Sequence, residues 1–148
     1  MDFATELVKE GVGIALPAYP ASLNNTNLVT GPIDMSKFYR CSMFGVVGTT
    51  TTSGVQAYLQ ESANQNMVGA TNIAGAVITN INNTANQAFT IECNVSQLKA
   101  TSRYVAGTIA ENLGHAGIMC AIMLGFGPRY HPEGADDASV NQRVVSTN

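Results

Sequence analysis

The sequence predicts an all-β fold, an antiparallel β-sandwich with a short helical arm before it and an extended tail after it. Three observations carry that reading. Apolar and β-branched runs of about ten residues recur between Lys37 and Phe126, several of them alternating with period two. Short polar turns rich in Gly, Asn, Thr and Ser separate these runs. No segment repeats at a spacing of about 20–50 residues, which argues against solenoids and propellers. With 148 residues, 45% of them hydrophobic, the chain suits one core-bearing domain. A sandwich or jelly roll is the architecture such a pattern favours.

Residues 1–30 read as an arm and linker. Asp2 can cap a short helix over Asp2–Glu10, with Phe3, Leu7 and Val8 as its apolar stripe and Gly11 as its stop. So short an amphipathic segment needs a surface, either its own domain or a neighbouring subunit. Gly11–Asn25 follows as an extended linker in which Pro17 and Pro20 flank Ala18-Tyr19. Asn27–Gly31 is a candidate first strand or edge strand, closed by Gly31-Pro32.

The sandwich is expected over residues 31–126. In Lys37–Val47, polar Lys37, Arg40 and Ser42 interleave with apolar Phe38, Cys41 and Phe44, and Cys41 and Phe44 read as core packing residues. The strand ends in Gly48-Thr49-Thr50-Thr51-Thr52-Ser53-Gly54, and Gly54–Glu61 starts at once, so the two read as a long hairpin. Val55, Ala57 and Leu59 share one face of the second strand, and Gln56, Tyr58 and Gln60 the other. Ser62–Ala70 is a polar loop or a single helical turn. Thr71–Ile81 is a further strand through Ile73, Val77 and Ile81, and Asn82–Asn86 is a turn. In Gln87–Val95, Phe89, Ile91 and Cys93 face in while Thr90, Glu92 and Asn94 face out. Ser96–Ser102 connects onward, with Leu98 placed to plug the end of the core. Arg103–Glu111 is another strand, and Gly117–Phe126 the last and most buried. Residues 127–148 form a tail containing Pro128, Pro132 and Gly134, which cannot bury apolar area alone. A partner that orders it would grip Val140, Val144 and Val145. Truncation after Gly127 is expected to leave a folded domain and to weaken assembly.

Charged residues make up 11% of the chain, against about 25% in an ordinary domain. Amides and hydroxyls take their place. Two settings fit: a protein that lives packed against other proteins, and a robust extracellular β protein. The net charge is −3 and the seven Lys and Arg residues are scattered singly, so no basic stripe marks a phosphate-backbone partner, and direct nucleic-acid binding is not expected. Cys41, Cys93 and Cys120 each sit in an apolar run. An odd number without close spacing argues against a disulfide framework or a zinc site, and favours buried free thiols in a reducing cytosol. The N-terminus carries Asp2 and Glu6 and no basic region, unlike a secretory signal. The longest apolar run, Gly117–Gly127, is about half of what a membrane helix needs, so no membrane partner is expected. Asn-x-Ser/Thr triplets at Asn24, Asn82 and Asn94 are expected by chance in so Asn- and Thr-rich a chain.

The order of several short motifs is itself informative. Asp34-Met35-Ser36-Lys37-Phe38 comes first, then Val55-Gln56-Ala57-Tyr58-Leu59-Gln60-Glu61-Ser62, then Phe89-Thr90-Ile91-Glu92-Cys93, then Arg103-Tyr104-Val105-Ala106. In that order, over Ile33–Phe126, the chain resembles small virion proteins of tailed bacteriophages. These are capsid decoration, or cement, proteins with jelly-roll-like sandwiches that clamp neighbouring major capsid proteins. The resemblance implies a structural, non-enzymatic protein of the capsid surface, assembled in the host cytoplasm. Its implied partners are the major capsid protein and itself, as a dimer or trimer. A head–tail connector or a tail or fibre-base protein is the alternative role. The arm before the sandwich and the tail after it depart from the simplest members and favour a clamp with extensions. The candidate inter-subunit contacts are therefore Phe3, Leu7 and Tyr19 on one side, and Arg129, Tyr130, His131, Val140, Val144 and Val145 on the other.

No catalytic, cofactor-binding or metal-binding constellation is expected. His115 reads as a loop histidine, and His131 either touches a neighbour or is solvated; neither has a carboxylate or cysteine at ligand spacing. No Gly-x-Ser-x-Gly elbow occurs, and Gly11-Val12-Gly13 lacks the third glycine of a dinucleotide loop. Glu61 and Glu92 could face each other as a carboxylate pair, but the chain has no Trp to line a sugar cleft, which also counts against a lectin. Arg103 opens a buried strand and needs a partner, with Glu61 and Asp34 as candidates. Arg40 either faces solvent or enters an interface.

Overall fold

The computed structural model describes residues 11–48, 54–81, 86–111 and 117–129. Among them are ten strands: β1 (Val12–Ile14), β2 (Ala18–Leu23), β3 (Asn27–Val29), β4 (Ile33–Asp34), β5 (Phe38–Val47), β6 (Val55–Ser62), β7 (Thr71–Ile81), β8 (Gln87–Asn94), β9 (Tyr104–Glu111) and β10 (Gly117–Pro128). A 3-10 turn over Val95–Gln97 leads out of β8, and Leu98 behind it packs against the core.

All the ladders are antiparallel, and they build two sheets. The front sheet runs β1-β10-β5-β8, with β2 continuing the lane of β1 along β10. The back sheet runs β3-β9-β6-β7, with β4 continuing the lane of β3 along β9. There are thus eight lanes, and the first pairs with the eighth, the second with the seventh, the third with the sixth and the fourth with the fifth. The first half of the chain runs antiparallel to the second half as one long ribbon. Rolling that ribbon puts successive pairs into opposite sheets, which is the jelly roll.

Two lanes are broken, and their breaks meet. Pro17 separates β1 from β2, and Gly31-Pro32 separates β3 from β4. Gly31 N–H donates to the Leu16 carbonyl at 2.8 Å, tying one break to the other. Thr30 keeps the second lane attached. Its N–H donates to the Gly107 carbonyl, and its Oγ1 accepts from Gly107 N–H, both at 2.9 Å. The sandwich therefore starts at Val12, not at residue 31 as the proline-rich stretch suggests. Proline is tolerated here because these are edge lanes, and Pro20 sits where the β2–β10 register slips. At the other end β10 continues to Pro128 instead of stopping at Phe126.

The expected hairpin between Lys37–Val47 and Gly54–Glu61 does not form. β5 pairs with β10 and β8, while β6 pairs with β9 and β7 in the other sheet. Each strand already has a neighbour on both edges, so the connection between them crosses from sheet to sheet.

The core lies between the sheets. Cys41, Met43 and Val47 of β5 and Met119, Ala121 and Met123 of β10 face Val55, Ala57 and Leu59 of β6 and Val105 and Ile109 of β9. The faces expected for β6 are observed, and Ile91 and Cys93 of β8 are buried as expected. Two residues depart from expectation. Phe44 is 38% exposed, because residues three apart in a strand lie on opposite faces and Cys41 takes the inner one. Val77 is exposed because β7 bulges around Gly75, at φ +80°, which turns Ala76 inward beside Ile73 and Ile81.

Candidate interaction surface

The strand β10 is apolar at both parities. Met119, Ala121, Met123 and Gly125 point into the core. Ile118, Cys120, Ile122, Leu124 and Phe126 point the other way, out of the front sheet. Ile118 is 64% exposed and the rest of that row is half-buried. A continuous apolar run of this kind is the mark of a strand covered on both faces. The described residues cover only one.

Register extends the apolar row sideways. On the neighbouring β5, Val46 stands beside Cys120, Phe44 beside Ile122 and Ser42 beside Leu124. Beyond them on β8 come Ala88, Thr90 and Glu92. On the far side of β10, Pro17, Tyr19 and Pro20 rise at the β2 edge. The β2 edge on one side and Ala88 and Thr90 on the other bound a groove of about 630 Å³, with Phe44, Val46, Cys120 and Ile122 between them. Tyr19 is 59% exposed and Val46 47% exposed, so the groove opens to solvent. The charges on this face are Arg40 and Glu92 at its far end, and the Arg40 guanidinium lies 5.7 Å from the Phe126 ring centroid.

The back sheet has a different outer face. There Gln60 Nε2 donates to Asn72 Oδ1 at 3.0 Å, and Thr108 Oγ1 donates to Gln60 Oε1 at 3.3 Å. Amide and hydroxyl groups satisfy one another on that side, and Val77 and Val29 are its isolated exposed apolar residues. The molecule thus has one wet face and one apolar face.

A second cavity, of about 400 Å³, opens beside Ile14, Asp34, Phe38 and Arg103. Two of its three charged groups are paired with each other, because Arg103 is bound to Asp34, and Lys37 is the third. Glu61, the other candidate partner of Arg103, instead accepts from Lys99 N–H at 2.8 Å, with Lys99 Nζ 3.9 Å away. Glu61 and Glu92 belong to different sheets and different environments, one buried and one exposed, so they do not form a carboxylate pair. Among the described residues no three His, Cys, Asp or Glu side chains gather as a metal site would require. No helix among them is long and apolar enough to cross a membrane.

Of the residues the sequence nominates for contacts, Tyr19 lines the groove. Arg129 lies at the opposite end of β10, exposed, with its guanidinium 4.9 Å from the Tyr39 ring centroid. The two are not brought together. Phe3, Leu7, Tyr130, His131, Val140, Val144 and Val145 lie outside the described residues, as do both histidines, the predicted N-terminal helix and the tail beyond Arg129. The residues that sequence reasoning missed are Phe44, Val46, Ile118 and Ile122. The signal was present in Gly117–Phe126, where apolar residues fill both parities. That pattern reads as deep burial of the strand, but one of its two faces is turned outward.

No family model matches the chain, and no curated protein matches it. A chain in the cryo-EM atomic structure of broad bean stain virus aligns at 9% identity, over 93% of this chain and 98% of that one, with a TM-score of 0.35. So low a score leaves the reading of the fold to the strand order itself.

Proposed function

We propose that this chain is a structural virion protein that binds the outside of an assembled capsid and stabilises it, with the apolar outer face of the front sheet seated against shell subunits. One observation carries the reading: the central strand β10 is apolar on both faces, and the outward face, extended by Phe44 and Val46, is open. An apolar surface of that kind on a charge-poor domain marks a protein–protein contact. The ordered resemblance to phage decoration proteins and the jelly-roll lane order, which viral capsid domains share with lectins and cupins, support the same role. The mechanism is mass action. A protein that binds the joint between capsomers only in the assembled shell adds its binding free energy to that shell. Joints on symmetry axes favour a dimer or trimer.

The test is the stoichiometry of this chain against the major shell protein in purified particles. A decoration protein is present at about hundreds of copies per particle, and a connector or fibre base at about six to twelve. The particles should lose the chain when Phe44 and Ile122 are both changed to Ser. A chain that is absent from particles overturns both virion roles, and one that forms closed shells alone is a shell subunit instead.

A further inference from the structure

Cys41 on β5 and Cys93 on β8 are register partners, 52 residues apart in the chain. Both side chains turn into the core and each residue is 1% exposed. Their sulfurs stand 3.5 Å apart. Directly opposed residues of antiparallel strands have Cα atoms about 4.5–5.5 Å apart, inside the range of about 4.4–6.8 Å that a disulfide spans. Closing the sulfurs to a bond of about 2.05 Å asks for a small rotation of each side chain and no backbone rearrangement. Among the described strands, the one carrying Cys93 is the edge of the front sheet and is paired only with β5. Local opening of such an edge is the cheapest route by which a reagent can reach a buried thiol.

We propose that Cys41 and Cys93 are a latent disulfide, held as thiols in a reducing compartment and cross-linked by a low-molecular-weight disulfide outside it. Cys93 is the attacking member. Either thiol can donate in the bond between them, but once Cys93 is ionised only the Cys41 S–H can, and this lowers the pKa of Cys93 and raises that of Cys41, with burial adding to the rise at Cys41. The Cys93 thiolate attacks one sulfur of the small disulfide, forms a mixed disulfide and expels a small thiolate. The Cys41 thiolate then attacks the Cys93 sulfur, forms the protein disulfide and expels the second small thiolate. Two thiol protons are released, the protein gives up two electrons, and the small disulfide is reduced to two thiols. The product ties the edge strand β8 to β5, beneath the apolar face described above. Cys120, half-buried in the outward row of β10, takes no part.

The experiment uses the full chain with Cys120→Ser, exposed to oxidised glutathione at mildly alkaline pH. The intact mass is expected to fall by two hydrogens, and a peptide map should join the segment holding Cys41 to the one holding Cys93. The urea midpoint should rise, and a reductant should restore both mass and midpoint. Mild urea should speed the reaction, because opening of β8 limits access. Cys41→Ser on the same background should stop at the glutathione adduct of Cys93. A wild-type or Cys120→Ser chain that stays fully reduced, or that accumulates only mixed disulfide, overturns the proposal.

Discussion

Arg103 grips Asp34 with both ends of its guanidinium, Nε to Oδ1 at 2.9 Å and Nη2 to Oδ2 at 2.7 Å. The same carboxylate accepts from Ser36 N–H at 3.0 Å and Ser36 Oγ at 2.7 Å. The Asp34 carbonyl accepts from Lys37 N–H at 3.0 Å, which closes the turn into β5. One side chain therefore joins the end of β4, the start of β9 and the entry to β5. The Arg103 hydrogen bonds outweigh burial and, with Ser36, hold the Asp34 pKa at about 2, down from 3.8. A carboxyl whose pKa is lowered on folding adds stability above its unfolded pKa and loses it as pH falls through the folded one. The contribution of Asp34 is then complete above about pH 4 and gone below about pH 2. Solvent screening at the rim reduces it to about 1 kcal/mol. Asp34→Asn should lower the urea midpoint at pH 7 and flatten its decline between these pH values. An unchanged acid limb would remove Asp34 from this role.

Phe38 lies over a glycine pair. Gly13 and Gly125 are register partners, and a Cβ on Gly125 would stand 2.6 Å from Phe38 Cδ2 and 2.7 Å from its Cγ. Those atoms are the root of a rigid, buried ring, so the ring can yield only by moving as a whole. Gly125→Ala should cost about 1–3 kcal/mol by overpacking. Gly107 is a control of opposite character. A Cβ there meets the Met43 sulfur, at 2.1 Å, which sits far out on a flexible side chain. Gly107→Ala should cost clearly less than Gly125→Ala in urea unfolding, and equal costs would refute the argument from rigidity.

These sites also show what was legible in the chain. Alternation placed Val55, Ala57 and Leu59 correctly because β6 is covered on one face and half-covered on the other. It misplaced Phe44 because Tyr39 and Arg40 are both exposed, so the alternation of β5 slips and Phe38 turns back into the core. No local pattern announced that slip. The lane order was hidden for a different reason. Residues near in sequence, such as those of β5 and β6, belong to opposite sheets, while β1 pairs with β10 at the far end of the chain. The apolar outer face was written in β10, but a strand apolar at both parities reads the same whether its own fold or another molecule covers it.

Ser42 sits among these apolar neighbours with a hydroxyl that is buried and has no hydrogen-bond partner among the described residues. A buried donor left unmade costs about 1–3 kcal/mol relative to a satisfied one, and removing it can be neutral or favourable. Ser42→Ala should leave stability unchanged or raise it by up to about 1 kcal/mol, read as the urea midpoint at constant slope. A loss larger than about 1 kcal/mol would mean that the hydroxyl has a partner.

The end of β10 refines where the tail begins. Pro128 pairs with Phe38, Arg129 N–H donates to the Lys37 carbonyl at 2.8 Å, and the Arg129 guanidinium covers Tyr39. A cut after Gly127 removes those contacts, whereas a cut after Arg129 keeps them. The chain ending at Arg129 should unfold at the urea midpoint of the full chain, and the chain ending at Gly127 about 1 kcal/mol lower. If Val140, Val144 and Val145 grip a neighbour, both shortened chains should bind particles more weakly. Undiminished binding by the chain ending at Arg129 would remove the tail from the contact.

The front-sheet face gives the sharpest separation between folding and association. Phe44 and Ile122 are only partly buried in the free molecule, so replacing either with Ser should cost about 1–2 kcal/mol of folding stability, less than at a fully buried core position. The same replacements break the apolar row that the partner would cover, and truncating a residue near the centre of a contact commonly costs more than about 2 kcal/mol of binding. Val77→Ser is the matched control, because Val77 is 46% exposed but stands on the polar back sheet. Sedimentation over a range of concentrations and co-sedimentation with particles should show lost association for Phe44→Ser and Ile122→Ser. Val77→Ser should behave as wild type. If all three substitutions weaken association alike, the front sheet has no special claim to the contact. If none does, the front-sheet face is not the contact.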